Sequence, residues 1–295
     1  MRSIMNGRRF LPAWGLILSL MPALTSAQTA LDKVQSLDLV FALKPMKVYY
    51  SRGYEEVALP LASRYGRTDD YFRSAFGVNR TFSLAVLDSA DWSKVSSLPY
   101  GLPFVSGPPF VVCMPATPDH QLGRLIDKAL EADSGIPRDS IPQRVRRFTS
   151  FIGFHELGHI YAKELNLPTP NKWTYEFAAT YLAYAYLATF YPSDNKEWLS
   201  TGIKMADSIH PVHTSLKDFE QFYVRVGVAN YAWYQVIFLK MVDDVFGNYG
   251  TDFTDQWGQL SFPQETGQYH LEQMNELYSG FYTWAIKYKL INATH

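Results

Sequence analysis

The feature that most limits how this chain can fold is five residues long. His155-Glu156-Leu157-Gly158-His159 stands inside an apolar run, with Phe151, Ile152 and Phe154 before it and Ile160 and Tyr161 after it. On an α-helix, residues four apart lie about 40° apart around the axis, so both imidazoles share a face and can meet one cation. Burying two His and a Glu there without partners would be costly. With 7 His in 295 residues, chance would produce the H-E-x-x-H pattern roughly 0.006 times per chain. Neutral imidazole suits zinc, and the adjacent Glu156 can face a metal-activated water as general base. The competing reading is two core histidines satisfied by their neighbours.

A catalytic zinc site takes three protein ligands and leaves one position for water. Glu164 sits on the same helix but about 140° round from His159, facing elsewhere. The longer H-E-x-x-H-x-x-G-x-x-H pattern fails, because Ala162 and Leu165 occupy its Gly and His positions. Glu176 remains, 17 residues after His159 and beyond the break Pro168-Thr169-Pro170. Two antiparallel helices would carry it over the His pair. Otherwise it is a single acid in an apolar helix with Phe177, Tyr181 and Leu182, either at the surface or short of a charge partner.

The surrounding chain divides in character. From Val34 to Pro118 it mixes short β-rich runs (Lys47–Tyr50, Phe82–Leu87 and Phe110–Met114) with one amphipathic helix over Glu55–Phe76. Leu98–Pro109, dense in Pro, Gly and Ser, reads as a loop, and Phe110–Met114 as an edge strand lining a cleft. Beyond Leu122 the pattern is helical: Leu122–Ala132, Val145–Leu165, Trp173–Tyr191, Tyr231–Phe246 and His270–Leu290. The fold class is α+β, with a mixed sheet and helix first and a mainly α-helical part afterwards. The expected division is a leader over 1–27, an α/β subdomain over 28–120 and a helical subdomain carrying the metal site over 121–295.

The leader rests on Arg2, Arg8 and Arg9, an apolar stretch from Phe10 to Leu24, and the small residues Thr25-Ser26-Ala27. This is a signal-peptide pattern with cleavage after Ala27 and export to the periplasm or medium. No later segment is apolar enough to span a bilayer, so no stable membrane insertion is expected after cleavage. Cys113 is the single cysteine, which excludes an intrachain disulfide. The net charge is −1 overall and −4 beyond residue 27, which gives no electrostatic footprint for nucleic acid. The aromatic cluster Tyr278, Phe281, Tyr282, Trp284 and Tyr288 has roughly helical spacing and reads as core packing rather than a sugar platform.

His155-Glu156-Leu157-Gly158-His159 followed by Trp173-Thr174-Tyr175-Glu176-Phe177-Ala178 resembles the gluzincin zinc metallopeptidases, and the chain more broadly looks like exported peptidase MA-like proteins. The resemblance implies a thermolysin-like zincin module holding one Zn2+ per chain through His155, His159 and Glu176, with Glu156 as base. The chain departs from the zinc aminopeptidases in a shorter His159-to-Glu176 spacing, in Tyr175 before the ligand Glu, and in lacking their G-x-M-E-N signature. An endopeptidase-like or open specificity follows. In such enzymes a Tyr or His from a later helix stabilises the oxyanion. Asn230-Tyr231-Ala232-Trp233-Tyr234 offers Tyr231 first and Tyr234 second, with His210 and His213 as other donors. The implied activity is hydrolysis of a peptide or protein substrate. The alternatives are an exported binding or scaffold module keeping the fold, and a zinc hydrolase of a non-peptide cell-wall substrate.

Overall fold

A computed structural model describes residues 28–131, 137–262 and 270–291. The expected leader, 1–27, lies outside them. The first part is built as α1 (Ala30–Ser36), β1 (Val40–Ala42), β2 (Val48–Tyr50), α2 (Glu55–Tyr65), α3 (Thr68–Phe76), β3 (Phe82–Leu87), α4 (Ser89–Val95), β4 (Phe104–Ser106) and β5 (Phe110–Pro115). The strands form one mixed sheet in the order β1-β2-β3-β5-β4. β2, β3 and β5 run parallel, while β1 and β4 are antiparallel edges.

The central strands are apolar on both faces, as parallel strands covered from both sides must be. Alternation along them separates two cores. Leu84, Val86, Val112 and Met114 face the large cluster that continues into the helical part, including Phe154 and Leu157. Ala85, Leu87, Val111 and Cys113 face a smaller cluster roofed by α1 and α4 through Leu31, Val34, Trp92 and Val95.

The second part comprises α5 (Gln121–Glu131), α6 (Ile141–Glu164), α7 (Lys172–Phe190), α8 (Pro192–Ser208), α9 (Leu216–Phe222), α10 (Val228–Tyr249), α11 (Asp252–Gly258), α12 (Leu271–Leu277) and α13 (Gly280–Lys287). α6 and α7 are the most intimately packed pair, with α10 laid against α7 and α8. The protein is thus mixed α/β, a five-stranded sheet followed by a mainly helical part.

Four sequence expectations need correction. The helix over Glu55–Phe76 is two helices, α2 and α3, parted at Gly66-Arg67. The segment 98–109 is not all loop, since β4 forms within it. β5 is therefore internal, and the edge strand on that side of the sheet is β4. The last helix breaks between α12 and α13 around Tyr278-Ser279. α8 went unread because its apolar residues are few, yet Pro192 at its first position and Asp194 in the first turn are a start signal.

Candidate metal centre

α6 carries the pentad where the sequence places it, and α7 crosses it at Gly158. A Cβ on Gly158 would overlap the backbone carbonyl of Ala179, so a glycine is what allows the two backbones to approach. The start of α7 is fixed from outside. The Glu220 carboxylate on α9 accepts hydrogen bonds from the Lys172 and Trp173 amides at 3.0 and 2.8 Å, which suits the positive end of a helix dipole. This anchorage sets Glu176 one turn further along, where it is only 1% exposed.

Three donors converge there. Glu176 Oε2 lies 3.1 Å from His155 Nε2 and 3.8 Å from His159 Nε2. Donor atoms bound tetrahedrally to zinc at ordinary bond lengths stand about 3.3 Å apart, within the span of these distances. His155, Glu156 and His159 also bring one ligand atom each within 4.8 Å of one another, a group that by itself could hold a metal ion.

The hydrogen-bond directions sharpen the point. The Thr180 hydroxyl donates to the Glu176 carbonyl at 3.0 Å, so toward His155 Nδ1, also at 3.0 Å, it can only accept. Nδ1 therefore carries a proton, and Nε2 faces the Glu176 carboxylate. Burial opposes a second proton on His155, but the hydrogen bond and charge of Glu176 outweigh it and raise the imidazole, so a proton on Nε2 bridges the 3.1 Å to Oε2 when no metal does. Two imidazole nitrogens and a carboxylate oxygen are a donor set that fits zinc in the place of that proton. His159 is oriented differently: its ring stacks on Tyr175 at 4.1 Å, and its buried Nδ1 has no partner among the described residues.

Glu176 is held by more than histidines. Gln235 Nε2 donates to Oε2 at 2.8 Å, and the Tyr223 hydroxyl donates to Oε1. Tyr223 sits at φ 49°, a left-handed conformation a tyrosine rarely adopts, and the turn there ends α9 beside Glu176. Tyr231 packs edge-on against Tyr223 with ring centres 5.9 Å apart. Burial and the nearby charge of Glu176 push the Tyr231 hydroxyl well above the usual phenol range, so it remains a proton donor.

The two carboxylates are driven apart. Burial opposes ionisation of Glu176, but the hydrogen bond from His155 and the neighbouring imidazoles outweigh it and hold its carboxyl well below the usual range. Glu156 has burial and the Glu176 charge against its ionisation, only partly offset by His155, and is pushed up to about 7. Burial first, and then the charge of His155, lower His159 to about 3, keeping it neutral as a ligand must be.

The structure thus brings together His155, Glu156, His159 and Glu176, with Tyr231 in the surrounding shell. It does not bring the other candidates there. The Tyr234 hydroxyl donates to the Ser215 carbonyl at 2.8 Å. His213 packs on Phe222, His210 is exposed, and Glu164 pairs with Arg80 at 2.7 Å. Thr180, Gln235 and Tyr223 were missed. Thr180 is one turn beyond Glu176, and Gln235 one turn beyond Tyr231, so helical spacing could have flagged both. Nothing local points to Tyr223. No family model, curated protein or solved structure matches this chain.

Proposed function

We propose that the chain is a zinc-dependent peptidase of gluzincin type, with a thermolysin-like arrangement around α6 and α7, exported by its amino-terminal leader. The observation that carries this reading is the convergence of His155 Nε2 and His159 Nε2 on Glu176 Oε2 at 3.1 and 3.8 Å, with His155 Nδ1 held by Thr180. His155, His159 and Glu176 would hold the metal. Zinc, when bound, supplies a Lewis acid that activates water and polarises a carbonyl. Glu156, poised near neutral pH, takes the proton of the attacking water and returns it to the leaving amine. Tyr231 donates to the developing oxyanion, while Tyr223 and Gln235 keep Glu176 oriented. β4, a sheet edge beside α6, offers unpaired backbone groups to an extended substrate.

Elemental analysis of the chain from residue 28, followed by cleavage of a peptide library, tests this. One zinc per chain, and turnover abolished by Glu156→Gln with zinc retained, supports the reading. Zinc held without turnover in either protein would leave the scaffold alternative, favoured by the side-chain exposure of only 11% at His155 and His159. Failure to hold zinc would remove the catalytic reading and put the scaffold alternative in its place.

A further inference from the structure

A second buried polar cluster lies on another face of α6. Ser150 is about 140° round the helix from His155 and belongs to the stripe Gln143, Arg146, Arg147 and Ser150. This stripe, the exposed side of α2 and the chain just after β5 enclose a cavity of about 490 Å³, a size typical of small-molecule sites. The cavity sits beyond the carboxyl end of β5, where open parallel sheets characteristically bind ligands.

Two buried polar atoms of the residues that line it have no partner among the described residues. His120, 3% exposed, accepts a hydrogen bond from the Gly123 amide at Nδ1 (2.9 Å), so its neutral ring carries the proton on Nε2. That Nε2 and the Ser150 hydroxyl, on a residue 1% exposed, have no partner among the described residues. Leaving a buried donor unpaired costs free energy unless something accepts from it. Burial and the nearby Arg124 keep His120 neutral, near 4, so it acts as a donor and not as a cation. Of the two acids that line the cavity, Asp194 is paired by Arg64 at 2.8 Å and Arg147 at 3.6 Å. Arg146, exposed at the mouth, makes no ion pair among the described residues. Glu56 is exposed on the opposite rim. Val57, Leu61, Pro115 and Pro118 add apolar wall.

We propose that this cavity binds a small organic anion, its carboxylate or phosphate head held by Arg146 at the mouth and by Ser150 and His120, whose donor atoms lie closed to solvent behind the wall and turn to it on binding, and its short apolar body laid along Val57, Leu61 and Pro118. The site is separate from the α6–α7 cluster, and its occupancy does not depend on a metal there.

Calorimetric titration of metal-stripped, dialysed protein tests this with three probes of one chain length: hexanoate, monohexyl phosphate and hexanamide. Saturable binding of either anion, at least about tenfold tighter than the neutral amide, is expected from one charge-assisted hydrogen bond. Which anion binds better identifies the head group. Arg146→Gln, at an exposed position, should weaken that binding about tenfold. Ser150→Ala should weaken it too while leaving the unliganded melting temperature unchanged or raised, because it removes an unsatisfied hydroxyl. No binding by any probe, binding of the amide equal to that of the anions, or affinity indifferent to both substitutions would overturn the proposal and leave a water-filled cavity.

Discussion

α6 carries two buried polar clusters that differ in what they lack. At its carboxyl half, against α7, acceptors are in excess: a carboxylate and two imidazole nitrogens converge, supported by Thr180, Gln235 and Tyr223. At its middle, facing the end of β5, buried donors are unpaired: His120 Nε2 and the Ser150 hydroxyl have no partner among the described residues, and Arg146 makes no ion pair among them. A surplus of acceptors calls for a cation and a surplus of donors for an anion. One helix can serve both because faces separated by about 140° look into different neighbours.

The strongest way to break this contrast is to remove the acceptor at the seam. Glu176→Ala should take zinc content from about one per chain to near zero by elemental analysis, since a catalytic site holds zinc through three protein ligands. Zinc retained at full stoichiometry would show that another group is the third ligand. Forcing the helices apart comes next. Gly158→Ala sets a methyl against the Ala179 carbonyl and should cost about 3 kcal/mol in denaturant unfolding, with zinc affinity falling alongside. Unchanged stability would mean that α6 and α7 part without penalty.

Thr180→Val keeps the shape but removes the acceptor that fixes the His155 tautomer. A loss of 10- to 100-fold in zinc affinity, read by competition with a chelator, is the usual order for such an outer partner. An unaltered affinity would show that Thr180 merely packs.

The smallest effect is a slope against pH in the metal-free protein. Folding raises the Glu156 carboxyl from an ordinary value of 4.5 to about 7. The unfolded chain therefore ionises first, and this residue's contribution falls as pH rises from 4.5 through 7. Glu156→Gln should match the wild type near pH 4.5 and exceed its stability at pH 8 in paired denaturant melts. Parallel curves at both pH values would contradict the raised value.

Much of this was legible in the residues. His155 and His159 share a face because helical periodicity is a local property, and the apolar strands β2, β3 and β5 stand close to their expected limits for the same reason. The single helix expected over Glu55–Phe76 failed where Gly66-Arg67 turned the chain, and β4 escaped notice because its three residues lie among Pro and Gly. A three-residue strand exists only because β5 is there to pair with it.

The sequence by itself determined which helix carries the histidines, that Glu156 stands between them, and that Glu176 begins the next long helix. Only the tertiary structure decided what surrounds Glu176, because its partners Tyr223 and Gln235 lie 47 and 59 residues away and reach it through the packing of α9 and α10 on α7. The same holds for the cavity beyond β5, whose walls come from four separate stretches of chain. Local periodicity is set by bond geometry within a few residues, whereas the balance of donors and acceptors in a buried space depends on every element that encloses it.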